Sequence, residues 1–231
     1  MKVVILAGGL GSRLSEYTKS IPKPMVKILK IPIIVRIIKY YSKFGFMDFI
    51  IASGYKGSII KNHFKKNYLK KLNIKVIHTG NKTMTGGRLK RLKKYISNQR
   101  FMLTYGDGLS NVNLNKLLKF HIKNKYYVTL TAVRPPARFG AIKLDGSRVK
   151  YFKEKSSLDE GWINGGFFVM EPEIFNFIPG DKTFLERDPL EKISRKNKLG
   201  AFKHNGFWQC MDTIRDKEIL ELAIKKKIYK T

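Results

Sequence analysis

The first half of the chain alternates apolar runs of strand length with amphipathic stretches of helical period. This alternation is typical of parallel strands joined by helical crossovers, and it predicts an α/β fold. Strands are predicted at residues 2–7, 49–53, 74–78, 101–105 and 128–133. Helices, each with an apolar stripe on one face, are predicted at residues 33–44, 57–66, 87–95 and 114–125.

Beyond residue 138 the pattern changes to shorter strands. These are predicted at residues 141–144, 148–154, 166–170 and 201–204. Helices are predicted near residues 172–177 and 189–197, with a last helix at 214–226. Because no repeat, linker or low-complexity tract divides the sequence, we expect one domain over residues 1–231.

The chain is strongly basic, since 47 Lys and Arg against 17 Asp and Glu give a formal net charge of +30. Such a charge raises nucleic acid or an anionic membrane as a partner. However, the lysines recur on the polar faces of nearly every predicted helix, which is typical of a solvated surface. The densest cluster, residues 88–94, has no aromatic stacking ladder beside it, so we do not expect nucleic acid to be the partner.

The cysteine content bears on the compartment. Cys210 is the only cysteine. It excludes an intramolecular disulfide framework and favours a reducing compartment. No run approaches the ~20 apolar residues that a membrane-spanning helix needs. We therefore expect a soluble, cytoplasmic protein, and the sequence leaves its oligomeric state open.

A glycine-rich loop, Leu6-Ala7-Gly8-Gly9-Leu10-Gly11-Ser12-Arg13-Leu14, directly follows the first predicted strand. Glycines at this place let main-chain N–H groups approach a phosphate closely. A dinucleotide fingerprint is excluded because Leu14 stands where its third glycine belongs. The sequence also lacks the Gly-Lys-Ser or Gly-Lys-Thr of a Walker A loop. Pro22 and Pro24 stiffen the backbone around Lys23, which is placed to meet the same phosphates.

Two acidic residues are candidates for a metal site. Asp107 lies between two glycines after the fourth predicted strand, at the edge where open α/β sheets bind ligands. Asp212 precedes the last predicted helix, where an aspartate alone is more often a helix cap. We expect the two carboxylates to converge on one Mg²⁺, which commonly takes one or two carboxylates together with phosphate and water.

Taken together, these motifs resemble the sugar-1-phosphate nucleotidylyltransferases and, within them, the glucose-1-phosphate cytidylyltransferases. The resemblance extends over nearly the whole chain. The segments that carry it are residues 6–14, 22–24, 83–88, 105–108, 138–141, 154–155, 161–168 and 207–216. It implies a Rossmann-like, mostly parallel sheet flanked by helices, with a small added β region in the C-terminal half. It also implies an Mg²⁺-dependent transfer of a cytidylyl group from CTP to glucose 1-phosphate, releasing pyrophosphate.

Carried over position by position, the resemblance assigns residues to each substrate. It implies that the nucleotide is bound by Leu6, Gly8, Gly9, Gly11, Ser12, Arg13, Lys23 and Gly106. The segment facing the pyrimidine contains Thr83, Gly87 and Arg88, and the sugar-phosphate side contains Glu154, Lys155, Asn164 and Gly165. Arg13, Lys23, Asp107, Lys155 and Asp212 are the implied catalytic residues, and Asp107 and Asp212 are the implied metal ligands.

Arg88 is the residue on which base choice is predicted to depend. A guanidinium only donates hydrogen bonds, and the Watson–Crick edge of cytosine offers two neighbouring acceptors. We expect Arg88 to meet that edge in a pocket closed by Gly86 and Gly87. The alternative is that Arg88 begins a basic surface helix with Lys90 and Arg91.

The remaining sequence supports an enzyme without a protein nucleophile. The four histidines, His63, His78, His121 and His204, lack the spacing of a metal-ligand cluster. Two alternatives to the cytidylyltransferase activity stay open. One is transfer from UTP or dTTP, and the other is a role without turnover, as a basic nucleic-acid-binding or nucleotide-sensing protein.

Overall fold

The structure is a computed structural model that describes residues 1–65, 69, 71–96, 98–135, 141–153 and 161–229. Its strands are β1 (Lys2–Ala7), β2 (Lys27–Ile28), β3 (Ile31–Pro32), β4 (Asp48–Ser53), β5 (Asn73–His78), β6 (Phe101–Tyr105), β7 (Gly108–Ser110), β8 (Val128–Val133), β9 (Ala141–Asp145), β10 (Arg148–Lys153), β11 (Ile163–Met170), β12 (Leu199–His204) and β13 (Trp208–Cys210).

Along the sequence, most of the α-helices connect one strand to the next. They are α1 (Ser15–Thr18), α2 (Ile33–Ser42), α3 (Gly57–Lys65), α4 (Thr85–Arg91), α5 (Lys93–Ile96), α6 (Leu114–Asn124), α7 (Asp188–Arg195) and α8 (Ile214–Lys225). Short 3-10 helices are found at Ser12–Leu14, Lys23–Met25 and Pro172–Phe177.

Seven strands form one mixed sheet in the order β12-β8-β11-β6-β1-β4-β5. The neighbours of β1 and β4 are parallel, as is the β12–β8 pair, whereas β11 runs antiparallel to both β6 and β8. The predicted α/β class with a mostly parallel sheet is therefore confirmed. The hairpin β9–β10 is a separate two-stranded sheet in the C-terminal half.

Successive side chains of a strand point to opposite sides of the sheet, and in β1 and β4 both sets of side chains are buried. Val3 and Ile5 of β1 pack into one apolar cluster with helix α2. Val4 and Leu6 pack into the other cluster, which contains Leu89 of α4. Near-continuous apolar strands are what a sheet covered on both faces requires.

The register brings four strands to a common edge. Ala7 pairs with Ser53, Ser53 pairs with His78, and Leu6 pairs with Tyr105. The strands β1, β4, β5 and β6 therefore end side by side. Ligands of open α/β sheets bind beyond this carboxyl edge.

Some elements differ from the prediction. The helix predicted at 87–95 is two helices that separate at Leu92. The helix predicted near 172–177 is a 3-10 helix. Strands β7 and β13, which the sequence analysis did not predict, pair with each other across about a hundred residues of chain. Residues 136–140 and 154–160 lie outside the described part of the chain.

His121 belongs to a buried polar cluster beside the start of β8 and the end of β11. Its Nδ1 lies 2.7 Å from the Thr129 hydroxyl and its Nε2 lies 3.2 Å from a Glu171 carboxylate oxygen. Arg100 donates to the same carboxylate oxygen from its Nε, at 2.5 Å. Burial lowers the pKa of His121, opposed by Glu171, so the imidazole is neutral near pH 7.

Within the described residues, every helix is too short or too polar to cross a membrane.

Candidate active site

A cavity of about 550 Å³ lies at the carboxyl edge of the sheet. Thirteen of the residues singled out from the sequence line it: Leu6, Gly8, Gly9, Gly11, Ser12, Arg13, Lys23, Thr83, Arg88, Gly106, Asp107, Asn164 and Asp212. The lining also includes Tyr105, Phe184, Trp208 and Cys210. The structure thus brings most of the predicted site residues to one place.

The glycine loop leads from β1 into the first 3-10 helix. Gly11 adopts a left-handed backbone conformation with φ 68°, which glycine accommodates without strain. The Thr18 hydroxyl donates to the carbonyl of Gly11 at 3.1 Å. The loop is thereby held in a tight turn over the end of the strand.

Arg88 anchors this loop from below. Arg88 is only 4% exposed, so the alternative that it begins a surface helix is wrong. Nη2 donates to the Gly8 carbonyl at 2.8 Å, and Nη1 donates to the Gly80 carbonyl at 2.7 Å and the Thr79 hydroxyl at 2.9 Å. A longer contact of 3.3 Å joins Nη1 to the Ser53 carbonyl. The guanidinium therefore joins the ends of β1, β4 and β5.

Gly8 is needed for this arrangement. A Cβ placed on Gly8 would lie 2.2 Å from Nη1 of Arg88, far inside van der Waals contact. The three atoms nearest to that Cβ all belong to the Arg88 guanidinium. A Cβ on Gly9 would meet nothing within 4 Å. The two neighbouring glycines thus have different roles: Gly8 makes room for a buried charge, and Gly9 adjoins the cavity.

Asp107 and Asp212 converge on one ammonium group. Lys23 Nζ lies 2.7 Å from Asp107 Oδ2 and 2.6 Å from Asp212 Oδ1. Arg13 Nη1 lies 2.8 Å from the other Asp212 oxygen. Burial alone would lower the pKa of Lys23, but the two carboxylates outweigh it and the pKa is raised, so this lysine stays charged. Two carboxylates and two cations therefore form one cluster at the mouth of the glycine loop.

The carboxylate pair has the chemistry of a partial Mg²⁺ site. Each side chain places an oxygen within 2.7 Å of the Lys23 ammonium, and such oxygen ligands are the ones Mg²⁺ prefers. Among the described residues, no group of three or more His, Cys, Asp or Glu side chains is arranged to hold a metal. The set fits a cation that completes its coordination with substrate phosphate and water.

The pairing of β7 with β13 brings the two acids together. Cys210 lies opposite Gly108, and the Met211 N–H donates to the Asp107 carbonyl at 2.8 Å. Asp216 then fixes the turn, because its carboxylate accepts from the N–H groups of Asp212 and Thr213 at 3.0 and 2.9 Å. The helix cap of α8 is Thr213, so Asp212 is left to face the cavity.

Cys210 is chemically quiet. Burial, reinforced by Asp212 and Asp107, raises the pKa of its thiol to about 12. The thiol therefore stays protonated at neutral pH and is a poor nucleophile.

Residues 179–187, here called the strap, lie across the start of α4. The Met84 N–H donates to the Asp181 carbonyl and the Gly86 N–H to the Thr183 carbonyl, both at 2.9 Å. A Cβ on Gly87 would lie 2.4 Å from the Asp181 carbonyl oxygen. Gly86 and Gly87 therefore allow the strap to approach α4 and are not part of the cavity lining, in contrast to the expected pocket around the base.

The predicted sugar-phosphate side is described only in part. Asn164 lines the cavity, where its Oδ1 accepts from the Gly166 N–H at 2.9 Å. Gly165 packs against Val133, outside the cavity lining, and its carbonyl accepts from the Trp208 indole at 2.7 Å. Glu154 and Lys155 lie outside the described residues.

Phe184 and Trp208 are two aromatic cavity residues to which sequence reasoning assigned no role, as it assigned none to Thr85 and Tyr105. Phe184 belongs to the strap and contacts the guanidinium of Arg187, whose centre lies 4.6 Å from the ring centre. Trp208 lay within a segment that carried the resemblance, so a role for it could have been suggested. For Phe184 no sequence pattern pointed to the cavity.

Comparison with known proteins agrees with this geometry. The family model for nucleotidyl transferases matches residues 2–216. Glucose-1-phosphate cytidylyltransferase of Salmonella typhi is 43% identical over 96% of this chain and 95% of its own length. A probable glucose-1-phosphate cytidylyltransferase of Bacillus subtilis is 39% identical over 94% of this chain and 93% of its own length.

The fold is also found among solved structures. HddC from Yersinia pseudotuberculosis matches with a TM-score of 0.77 and 26% identity, covering 96% of this chain and 99% of that one. The same protein has been solved in complex with GMP-PN. With its glycine loop, its paired acids and relatives that match along nearly its full length, the chain belongs to the nucleotidyl transferase family.

Proposed function

We propose that the protein transfers a cytidylyl group from CTP to glucose 1-phosphate, giving CDP-glucose and pyrophosphate. The observation that carries this proposal is the cluster of Lys23, Arg13, Asp107 and Asp212 beside a phosphate-type glycine loop. The relatives that are about 40% identical over nearly the whole chain act on these two substrates by name.

The reaction must overcome repulsion between two anionic phosphates. Positioning and charge neutralisation supply most of the catalysis in such transfers. An oxygen of the sugar phosphate attacks the α-phosphorus of CTP in line. The bond to the β-phosphate oxygen breaks, and pyrophosphate takes that electron pair. The attacking phosphate is already ionised at neutral pH, so no general base is required.

The cations of the cluster fit the two ends of this step. Arg13 pairs with Asp212, but its side chain is 75% exposed and therefore accessible to a leaving pyrophosphate. Lys23 is held between the acids, with a side chain only 12% exposed, and provides a fixed charge at the loop. Lys155 is assigned to the sugar phosphate by the family resemblance alone.

We assign Mg²⁺ to Asp107 and Asp212. When bound there, the ion would screen phosphate charge and align the triphosphate. The convergence of both carboxylates on a single cationic group, the Lys23 ammonium, supports this assignment.

Base choice is proposed to depend on Arg88. Its contacts with Gly8, Ser53, Thr79 and Gly80 use Nη1 and Nη2, so Nε takes no part in them. Arg88 also lines the cavity. A remaining N–H edge that meets O2 and N3 of cytosine would oppose the N3–H donor of uracil, and such mismatches of buried polar groups discriminate strongly.

The test is a matrix of CTP, UTP, dTTP, ATP and GTP against several sugar 1-phosphates, read as pyrophosphate release. CTP with glucose 1-phosphate is expected to be the fastest pair. Equal rates with CTP and UTP would overturn the cytidylyl assignment, and no release with any pair would favour nucleotide sensing without turnover. The double variant D107N/D212N, which keeps the side-chain shapes, is the control for a contaminating activity.

A further inference from the structure

Glu186 of the strap contacts two cavity residues that lie on different elements. Its Oε1 accepts from the Tyr105 hydroxyl at 2.6 Å, and its Oε2 accepts from the Thr85 hydroxyl at 2.6 Å. Thr85 in turn accepts from the Leu185 N–H at 2.9 Å. One carboxylate therefore joins the start of α4 to the end of β6, and Thr85 fixes its position.

The Tyr105 hydroxyl donates in this contact. The phenol O–H is the donor because a carboxylate oxygen accepts. The ring itself is held by packing, since it meets Phe168 edge to face at 5.8 Å and lies 2.4 Å from where a Cβ on Gly166 would be. The direction of the hydroxyl is thereby set by Glu186.

Asn164 follows Tyr105 in this chain of hydrogen bonds from Glu186. Its Nδ2 donates to the Tyr105 oxygen at 3.4 Å, while its Oδ1 accepts from the Gly166 N–H at 2.9 Å. Because both ends of the amide are engaged, its orientation is fixed. Nδ2 carries a second N–H, and Asn164 lines the cavity.

We propose that Glu186 is a positioning residue for the sugar phosphate, acting through Tyr105 to hold Asn164 so that its second Nδ2–H donates to a hexose hydroxyl. This inference rests on the proposed function, because it assigns the hexose to the side of the cavity where Asn164 lies. Glu186 reaches the ligand through Tyr105 and Asn164, and it touches no reacting atom.

Two substitutions interrupt this chain of hydrogen bonds, one at Glu186 and the other at Tyr105. In E186Q the side chain can accept from only one of the two hydroxyls that now donate to it, because half of its head group becomes a donor. In Y105F the ring packing is kept and the hydroxyl is lost. Glu191 on α7 provides the matched control, since E191Q removes the same charge from an exposed carboxylate whose ion pair with Arg195 spans 3.8 Å.

Steady-state kinetics with both substrates varied are the main readout. E186Q and Y105F are each expected to raise the KM for glucose 1-phosphate about tenfold, the size of one lost hydrogen bond, with less than twofold change in the KM for CTP. The KM for glucose 1-phosphate of E186Q/Y105F should not exceed that of the more impaired single variant, because both substitutions act on the same contacts. E191Q should match the unmodified protein.

Several outcomes would overturn the proposal. These are an unchanged KM for glucose 1-phosphate in E186Q, single effects that multiply in the double variant, or a fall in kcat with equal change in both KM values. The last pattern, accompanied by a lower Tm, indicates a role in strap stability alone.

Measurements on the unmodified protein distinguish failure of the proposed function from failure of the positioning role of Glu186. If that protein releases no pyrophosphate with any substrate pair, the proposed activity fails. Calorimetric binding of glucose 1-phosphate to the unmodified protein and to E186Q then still decides the positioning role. Equal Kd values, or no binding to either protein, contradict it.

Discussion

Replacing Gly8 by alanine tests how the buried guanidinium shapes the glycine loop. The new Cβ would lie 2.2 Å from Arg88 Nη1, whereas ordinary contacts begin near 3.4 Å, so the guanidinium must retreat by more than an ångström. That movement breaks its hydrogen bonds to the carbonyls of Gly8 and Gly80, now 2.8 and 2.7 Å long. Hydrogen bonds to charged groups contribute about 1.5–3 kcal/mol each, so G8A should lower the free energy of unfolding by about 3–6 kcal/mol.

The assay is urea unfolding of a double-mutant cycle. R88A alone is expected to cost about 3–5 kcal/mol, since it leaves buried acceptors without a charged partner. In the R88A background the obstacle is gone, and G8A should cost less than about 1 kcal/mol. The coupling energy between the two sites is then at least about 2 kcal/mol.

Gly9 supplies the control for this cycle. Gly8 and Gly9 both have backbone conformations open to alanine, but a Cβ on Gly9 would meet nothing within 4 Å. G9A should therefore change the free energy of unfolding by less than about 1 kcal/mol. The reasoning is refuted if G8A costs the same with and without Arg88, or if G9A costs as much as G8A.

The remaining predictions concern charge and pH. D107N and D212N should each abolish most turnover and its dependence on Mg²⁺, and near-normal rates in both would remove them from the metal site. K155A should lower kcat/KM for the sugar phosphate by about ten- to two-hundredfold, as expected for one lost charge-assisted bond of ~1.5–3 kcal/mol, whereas a surface ion pair would leave it unchanged. R88A should reduce CTP use more than UTP use and so narrow the ratio of the two rates. An unaltered ratio in folded R88A would show that Arg88 supports the loop and does not select the base. His121 has a lowered pKa in the fold, so its contribution to stability is complete above its ordinary value of about 6.5 and is lost as the pH falls below it. H121Q should lose less unfolding free energy between pH 7.5 and 5.5 than the unmodified protein, and equal losses would assign the acid sensitivity elsewhere.

The parts of the fold that could be predicted are those set by local pattern. The apolar run of β1 and the glycines after it are visible in neighbouring residues, and the structure places both as expected. The convergence of Asp107 and Asp212 was predicted as a pairing, but the ladder that produces it was not. Strands of three residues such as β7 and β13 carry too little pattern, because their pairing depends on a partner far along the chain.

Other features could not be predicted because one residue type serves several purposes. The glycines at 86 and 87 indicated a pocket wall, yet they admit the carbonyls of the strap. Arg88 stands among lysines and arginines of a basic helix, and only the three strand ends around it reveal a buried charge. Glu186 was not singled out from the sequence, because its two hydroxyl partners come from distant segments.

The ladder between β7 and β13 also determines when the site comes into existence during synthesis. Asp107 emerges from the ribosome more than a hundred residues before Asp212, a delay of about 5–20 s at ~5–20 residues per second. Before Asp212 has been synthesised, the chain already contains the glycine loop, Lys23 and Asp107 but lacks the second carboxylate. A partly synthesised chain can therefore acquire its phosphate loop early, while its complete charge cluster forms only once β13 has paired with β7.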